Sequence, residues 1–99
     1  MITEKDFQAA VTDLLDMTGW QWYHTHDSRR SRQGWPDLAM WRDGKFLLRE
    51  LKTDDGKLTP WQEATIESLA EAGVDVGVWR PADWPDIERF ITEGWDASV

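Results

Sequence analysis

The sequence predicts an α/β fold, a mixed sheet with an αβββαβ core plus a C-terminal helix. Three observations carry this reading. Segments with helical apolar spacing flank a run of short apolar strands. Asp43-Gly44 stands between two of those strands as a two-residue hairpin signal. Eight Trp in 99 residues supply enough buriable area for a core and argue against a disordered chain.

The first helix is expected over residues 4–18. Phe7, Val11, Leu14 and Leu15 share one stripe, Thr3 is a good cap, and Gly19 a good stop. Residues 20–26 alternate aromatic and polar side chains, as a strand does. Residues 27–34 are polar and basic and read as a loop. Residues 37–41 and 45–52 are the two hairpin strands, and residues 53–58 are a polar turn. Thr59-Pro60-Trp61-Gln62 opens the second helix, with Thr as cap, Pro in the first turn and Gln at the capping-box position. That helix runs to about Ala72 and stops at Gly73. Residues 74–79 are a fourth strand, and Asp83 is expected to cap a last helix through about Thr92.

The length allows one domain, taken as residues 1–99. No apolar run approaches the ~20 residues of a membrane span. The first residues lack the basic and apolar regions of a signal peptide. Zero cysteines exclude disulfides, thiolate zinc sites and cysteine nucleophiles, and make the cytoplasm the expected compartment.

A net charge of −8 speaks against a generally DNA-coated surface, but its distribution is uneven. Between Ser28 and Lys52 stand seven basic residues against three acids, a local +4 in a remainder of −12. That pattern suits one phosphate-facing patch. The alternative is a chance cluster on a solvated face.

With Asp43-Gly44 as the turn, Arg42 faces Lys45 and each earlier residue faces a later one, until Asp37 lies opposite Glu50. Asp37, Ala39, Trp41, Phe46, Leu48, Glu50 and Lys52 then share one face. Opposed like charges destabilise a sheet. A divalent cation between the two carboxylates removes that cost, and Mg²⁺ uses one or two carboxylates together with water and substrate phosphate. Lys52, on the same face, can reach a water or a phosphate oxygen. The plainer reading makes Asp37 a turn residue and Glu50–Lys52 an exposed ion pair.

Gly34-Trp35-Pro36-Asp37-Leu38, Glu50-Leu51-Lys52 and Gly56-Lys57-Leu58-Thr59-Pro60-Trp61-Gln62 together resemble the VRR-NUC family of the PD-(D/E)XK nuclease superfamily, in its small, stand-alone, phage-type form. The resemblance runs from about Glu4 to Pro81 and implies a restriction-endonuclease-like core in a bacterial or phage setting. It implies a deoxyribonuclease that hydrolyses DNA phosphodiesters with Mg²⁺ or Mn²⁺. Asp37 and Glu50 match its metal ligands, the Leu51 carbonyl completes that site by analogy, and Lys52 matches the lysine that positions or activates water. A Glu on the first helix often joins the metal in this family, which brings in Glu4; favourable interaction with the helix dipole is its plainer role. Gln62 falls where the family places an active-site Gln, and it is also the partner of Thr59 in the capping box. A related branch carries Tyr four residues later, where this chain has Ile66, so that branch is disfavoured.

His24 and His26 share a strand face with Trp22 but make a weak zinc signal without further ligands. His24 is expected near phosphate rather than on metal. Arg29, Arg30, Ser31 and Arg32 precede the motif and are expected to contact DNA phosphates. Trp20, Trp22, Trp41, Trp61 and Trp79 read as core, whereas Trp35 is either core or exposed for base contact.

The expected activity is therefore a metal-dependent endonuclease acting on branched or four-way-junction DNA. The competing classes are a non-catalytic DNA- or protein-binding module on the same fold and an acidic mimic of DNA. A homodimer is expected from the small surface, the surplus of Trp and the two-fold demands of a junction. Trp84, Phe90 and Trp95 are its expected interface, unless the last helix folds back on its own sheet.

Overall fold

The computed structural model describes residues 2–25 and 32–93. The Thr3 hydroxyl accepts from the Asp6 amide at 3.0 Å and starts α1, Glu4–Met17. Gly19, at φ +82°, reverses the chain after it. The strands β1 (Gln21–His24), β2 (Leu38–Arg42), β3 (Lys45–Leu51) and β4 (Asp75–Trp79) form one sheet in that spatial order. The first three are antiparallel. The step from β3 to β4 is parallel and is bridged by α2, Pro60–Glu71. A 3₁₀ turn at Pro81–Asp83 leads into α3, Trp84–Glu93. The observed order is the expected mixed α/β arrangement.

The hairpin register is the one its turn dictates. Asp43 and Gly44 both have positive φ, +50° and +82°, as a tight two-residue turn requires. Arg42 pairs with Lys45 and the ladder runs without a bulge to Leu38 and Arg49. Alternation then sorts the sheet into two faces. Leu38, Met40, Leu47 and Leu51 meet Phe7, Val11 and Leu15 of α1 and Ile87 and Ile91 of α3 in one buried cluster. Burying each such side chain is worth about 1.5–3 kcal/mol, so this face holds most of the apolar stabilisation. Trp20 closes its end and donates its indole N–H to the Ile91 carbonyl at 3.1 Å.

The opposite face carries Ala39, Trp41, Phe46, Leu48 and Glu50; Leu48 and Glu50 are buried, whereas Trp41 and Phe46 near the turn are open. No residue of α2 is buried. Trp41 and Trp61, expected in the core, are instead 41% and 57% exposed.

Two further expectations change at the C-terminal end. Asp83 does not cap α3; it ends the 3₁₀ turn, and its carboxylate folds back to accept from the Arg80 amide at 3.0 Å. Trp84 and Phe90, expected at a dimer interface, pack on the chain's own core. Phe90 stacks on Trp20 with centroids 6.3 Å apart and meets Trp79 edge-on at 6.0 Å. The last helix folds back because its Ile87–Phe90–Ile91 stripe matches the apolar face of the sheet. Trp95 lies outside the described residues, as does His26. No helix of the described chain is long and apolar enough to cross a membrane.

Candidate active site

The three carboxylates singled out by the sequence meet. One oxygen each from Glu4, Asp37 and Glu50 lies within 4.8 Å of the others. Each arrives for a different local reason. Glu4 is the first residue of α1 and projects from the end of the helix whose Phe7 and Val11 anchor in the core. Asp37 follows the buried Pro36, and its Oδ2 accepts from the Leu51 amide at 2.9 Å. Glu50 is the next residue of the β3 ladder, in register with Val78 of β4, and is only 2% exposed.

The electrostatics of Glu50 are unusual. Burial first, then the nearby Asp37 carboxyl and, less strongly, Glu4 raise its carboxyl to about 8 against the opposing pull of Lys52. Its Oε1 is buried and finds no hydrogen-bond donor among the described residues. An unsatisfied buried carboxylate oxygen costs several kcal/mol unless a proton or a cation meets it. Three carboxylates with no thiol or imidazole among them form a hard oxygen donor set, which suits Mg²⁺ or Mn²⁺ better than zinc. The residues present therefore fit the expected divalent cation.

The other Glu50 oxygen, Oε2, is well held. Gln62 donates its Nε2–H to it at 3.0 Å, while the Gln62 Oε1 accepts from the Thr59 amide at 2.9 Å. The capping box thus fixes which end of the amide faces the carboxylate, so the structural and site roles of Gln62 coexist. Lys52 Nζ stands 3.8 Å from the same oxygen, with its side chain 16% exposed. The Leu51 side chain is in the core, which leaves its main chain as the part of that residue available to the site.

Arg80 was not singled out by the sequence. Its Nη1 donates to the Thr53 and Gly56 carbonyls, both at 2.6 Å, and so pins the loop between Lys52 and α2. Asp54 reinforces the same loop by accepting from the Ala82 amide at 2.7 Å. No local pattern announces this clamp, because its acceptors lie more than twenty residues away in sequence.

The remaining predicted residues are dispersed. Arg29, Arg30 and Ser31 lie outside the described residues. Arg32 is exposed beside the loop that leads to Asp37. His24 pairs with Leu38 and so points to the α1 side of the sheet, away from the face of Glu50, and is not in the carboxylate cluster. Among the described residues, the basic segment is divided between the two faces of the sheet. Arg42, Lys45 and Arg49 alternate onto the face opposite Lys52. Arg49 is consumed there, bonded to Asp75 at 2.8 Å and lying 5.2 Å from the Trp79 ring centroid.

Comparison with known proteins agrees with this architecture. The family model for the VRR-NUC domain matches residues 3–83. A solved structure described as a VRR_NUC domain superposes with a TM-score of 0.75 at 20% identity, covering 93% of this chain and 97% of its own. A second, a VRR_NUC domain protein, gives 0.63 at 25% identity over 83% and 80%. The Holliday junction resolvase Hjc of Archaeoglobus fulgidus shares the fold at a TM-score of 0.50 and 17% identity, over 79% of this chain and 65% of that one. In sequence, the Fanconi-associated nuclease 1 homolog of Schizosaccharomyces pombe is 38% identical over 56 residues, which span 54% of this chain but only 8% of that protein. A match that runs through all four strands and both helices of the core, with the same fold in solved relatives, establishes that the chain belongs to the VRR-NUC domain family, a family of nucleases.

Proposed function

We propose that the protein is a divalent-metal-dependent DNA endonuclease that hydrolyses phosphodiester bonds in branched DNA. The observation that carries this reading is the buried, donorless Oε1 of Glu50 beside Asp37 and Glu4. Glu4, Asp37, Glu50 and the Leu51 carbonyl are the residues that would hold Mg²⁺ or Mn²⁺. When bound, such a cation supplies positive charge to the phosphoryl oxygens and acidifies a water. Gln62 holds Glu50 in its acceptor orientation, and the Leu51 amide does the same for Asp37. Lys52 offers an ammonium to the attacking water or to a phosphate oxygen. The water oxygen forms the new bond to phosphorus as the P–O ester bond breaks, the water giving up a proton to solvent and the leaving oxygen taking one up. Arg32, with Arg29, Arg30 and Ser31, remains the proposed set for holding the DNA, and His24, on the other face of the sheet, is left out of it.

A homodimer belongs to the same reading, on a different surface from the one the sequence suggested. Tyr23, Trp41 and Phe46 are 60%, 41% and 52% exposed on the sheet face that also bears Glu50. A second copy packed there would cover them and bring two sites toward opposed strands. Branched DNA is favoured over plain duplex because a flap presents a single strand and a junction presents an open, deformable branch point.

A gel assay tests the whole proposal with flap, four-way-junction, nicked, duplex and single-stranded DNAs, each in Mg²⁺, Mn²⁺ and EDTA. Incision of the branched substrates in metal but not in EDTA is the expected result. Binding without incision in either metal favours the non-catalytic module instead.

A further inference from the structure

Two exposed Trp outside the carboxylate cluster line one groove. Gly34, at φ +90°, lets the loop backbone settle directly on the first turn of α2, where a Cβ would collide with the Trp61 carbonyl and meet Thr65 Oγ1 at 2.8 Å. The Trp35 amide closes that loop on the Arg32 carbonyl at 3.1 Å. This packing fixes Trp35, 41% exposed, and Trp61, 57% exposed, along a groove of about 410 Å³ that Arg32, Gln33, Ala64, Thr65, Ser68 and Leu69 also line.

We infer that this groove takes a single unstacked nucleobase of the DNA substrate, stacked on Trp35 or Trp61 with Arg32 on the adjoining phosphate. The inference rests on the nuclease reading and deepens it by naming what the site recognises. Four features point to a base rather than to an apolar side chain of a protein. The aromatic lining is two indoles, whose flat faces stack on any base, and Leu69 is the other large apolar group beside them. The polar groups Gln33, Thr65 and Ser68 suit a base edge. Arg32 supplies positive charge at the rim of a chain that is otherwise acidic. The groove also adjoins the carboxylates through the chain: Trp35 lies two residues before Asp37, and Trp61 directly precedes Gln62. Two residues span at most about 7 Å along the chain, so the groove flanks the segment that carries Asp37. A base held here belongs to the strand near the scissile phosphate, where only an unpaired or distorted strand can present it.

The test is fluorescence anisotropy with a labelled flap DNA in EDTA, so that binding is read without cleavage. Tetrahydrofuran abasic sites are placed one at a time through the single strand. Wild-type protein is expected to lose about tenfold in affinity at one position near the branch. Trp35→Ala and Trp61→Ala together should bind the intact flap about tenfold more weakly and no longer respond to the abasic site, whereas the Phe variants retain most of both effects. An abasic scan that is flat for wild type overturns the inference, as does a double Ala variant, folded by circular dichroism, that binds and discriminates normally. If the double variant changes only the mass in solution, the groove's occupant is a second copy and the inference fails. Mg²⁺ incision, measured separately, keeps the two readings apart: incision with a flat scan sinks only the groove, and absence of both DNA binding and incision sinks the nuclease reading with it.

Discussion

Glu50 concentrates the chemistry of the molecule in one side chain. Its pKa is raised from 4.5 to about 8 by burial, then by Asp37, so the folded state holds a proton that the unfolded chain releases over that interval. Stability of the metal-free protein is thus full below about pH 4.5 and declines as pH rises toward 8. Melting curves in EDTA should fall across that window for wild type and flatten for Glu50→Gln; parallel curves for the two would refute the buried charge. Added Mn²⁺ should raise the melting temperature more at pH 8 than at pH 6, because the cation replaces the proton. Gln62 carries two duties at once, so Gln62→Ala should weaken Mn²⁺ binding about 10–100-fold by calorimetry. Thr59→Ala, which removes only the cap, should cost about 1 kcal/mol of stability and leave that binding nearly unchanged. The residues of this centre were legible because period-two alternation carries Asp37 and Glu50 to the same place once the turn is known. The bond from Gln62 to Glu50 was not, since nothing in a capping box says what the second end of the amide will face.

At the scale of elements, the hairpin and the loop after it position everything else. Asp43-Gly44 made the register readable, because a two-residue turn with two positive φ values admits one pairing. The same alternation sends Arg42, Lys45 and Arg49 to the far side of the sheet from Lys52, so the hairpin's share of the basic stretch is divided between two faces in space. The clamp by Arg80 was invisible for the opposite reason, its acceptors being far along the chain. Arg80→Ala should cost about 1.5–3 kcal/mol in denaturant unfolding, the usual value of hydrogen bonds to a charged group, and should loosen the loop that carries α2. Gly34→Ala should cost at least about 1–2 kcal/mol from backbone conformation alone, with the collision at Trp61 in addition. A Gly34→Ala protein as stable as wild type would mean that the loop does not sit on α2 in solution.

For the whole molecule, one sheet face builds the core and the other is left for work. Helices α1 and α3 pack on the centre of the first face, and Trp84 and Phe90 are consumed there inside the chain. The second face stays open over Tyr23, Trp41 and Phe46, and alternation alone could not reveal that α2 would leave it bare. If that face joins two copies, light scattering should return about twice 11.6 kDa, and Phe46→Glu should return the single-chain mass. The carboxylate cluster lies at the end of this open face, and the claim that it cleaves DNA with a bound cation is the centre of the account. Single-turnover cleavage of a 5′-labelled junction by wild type and Asp37→Asn, side by side in Mg²⁺ and in EDTA, tests that claim most directly. Asp37→Asn is predicted to be slower by at least about 100-fold, with no product from either protein in EDTA. Wild-type rates from Asp37→Asn, or incision that persists in EDTA, would contradict it.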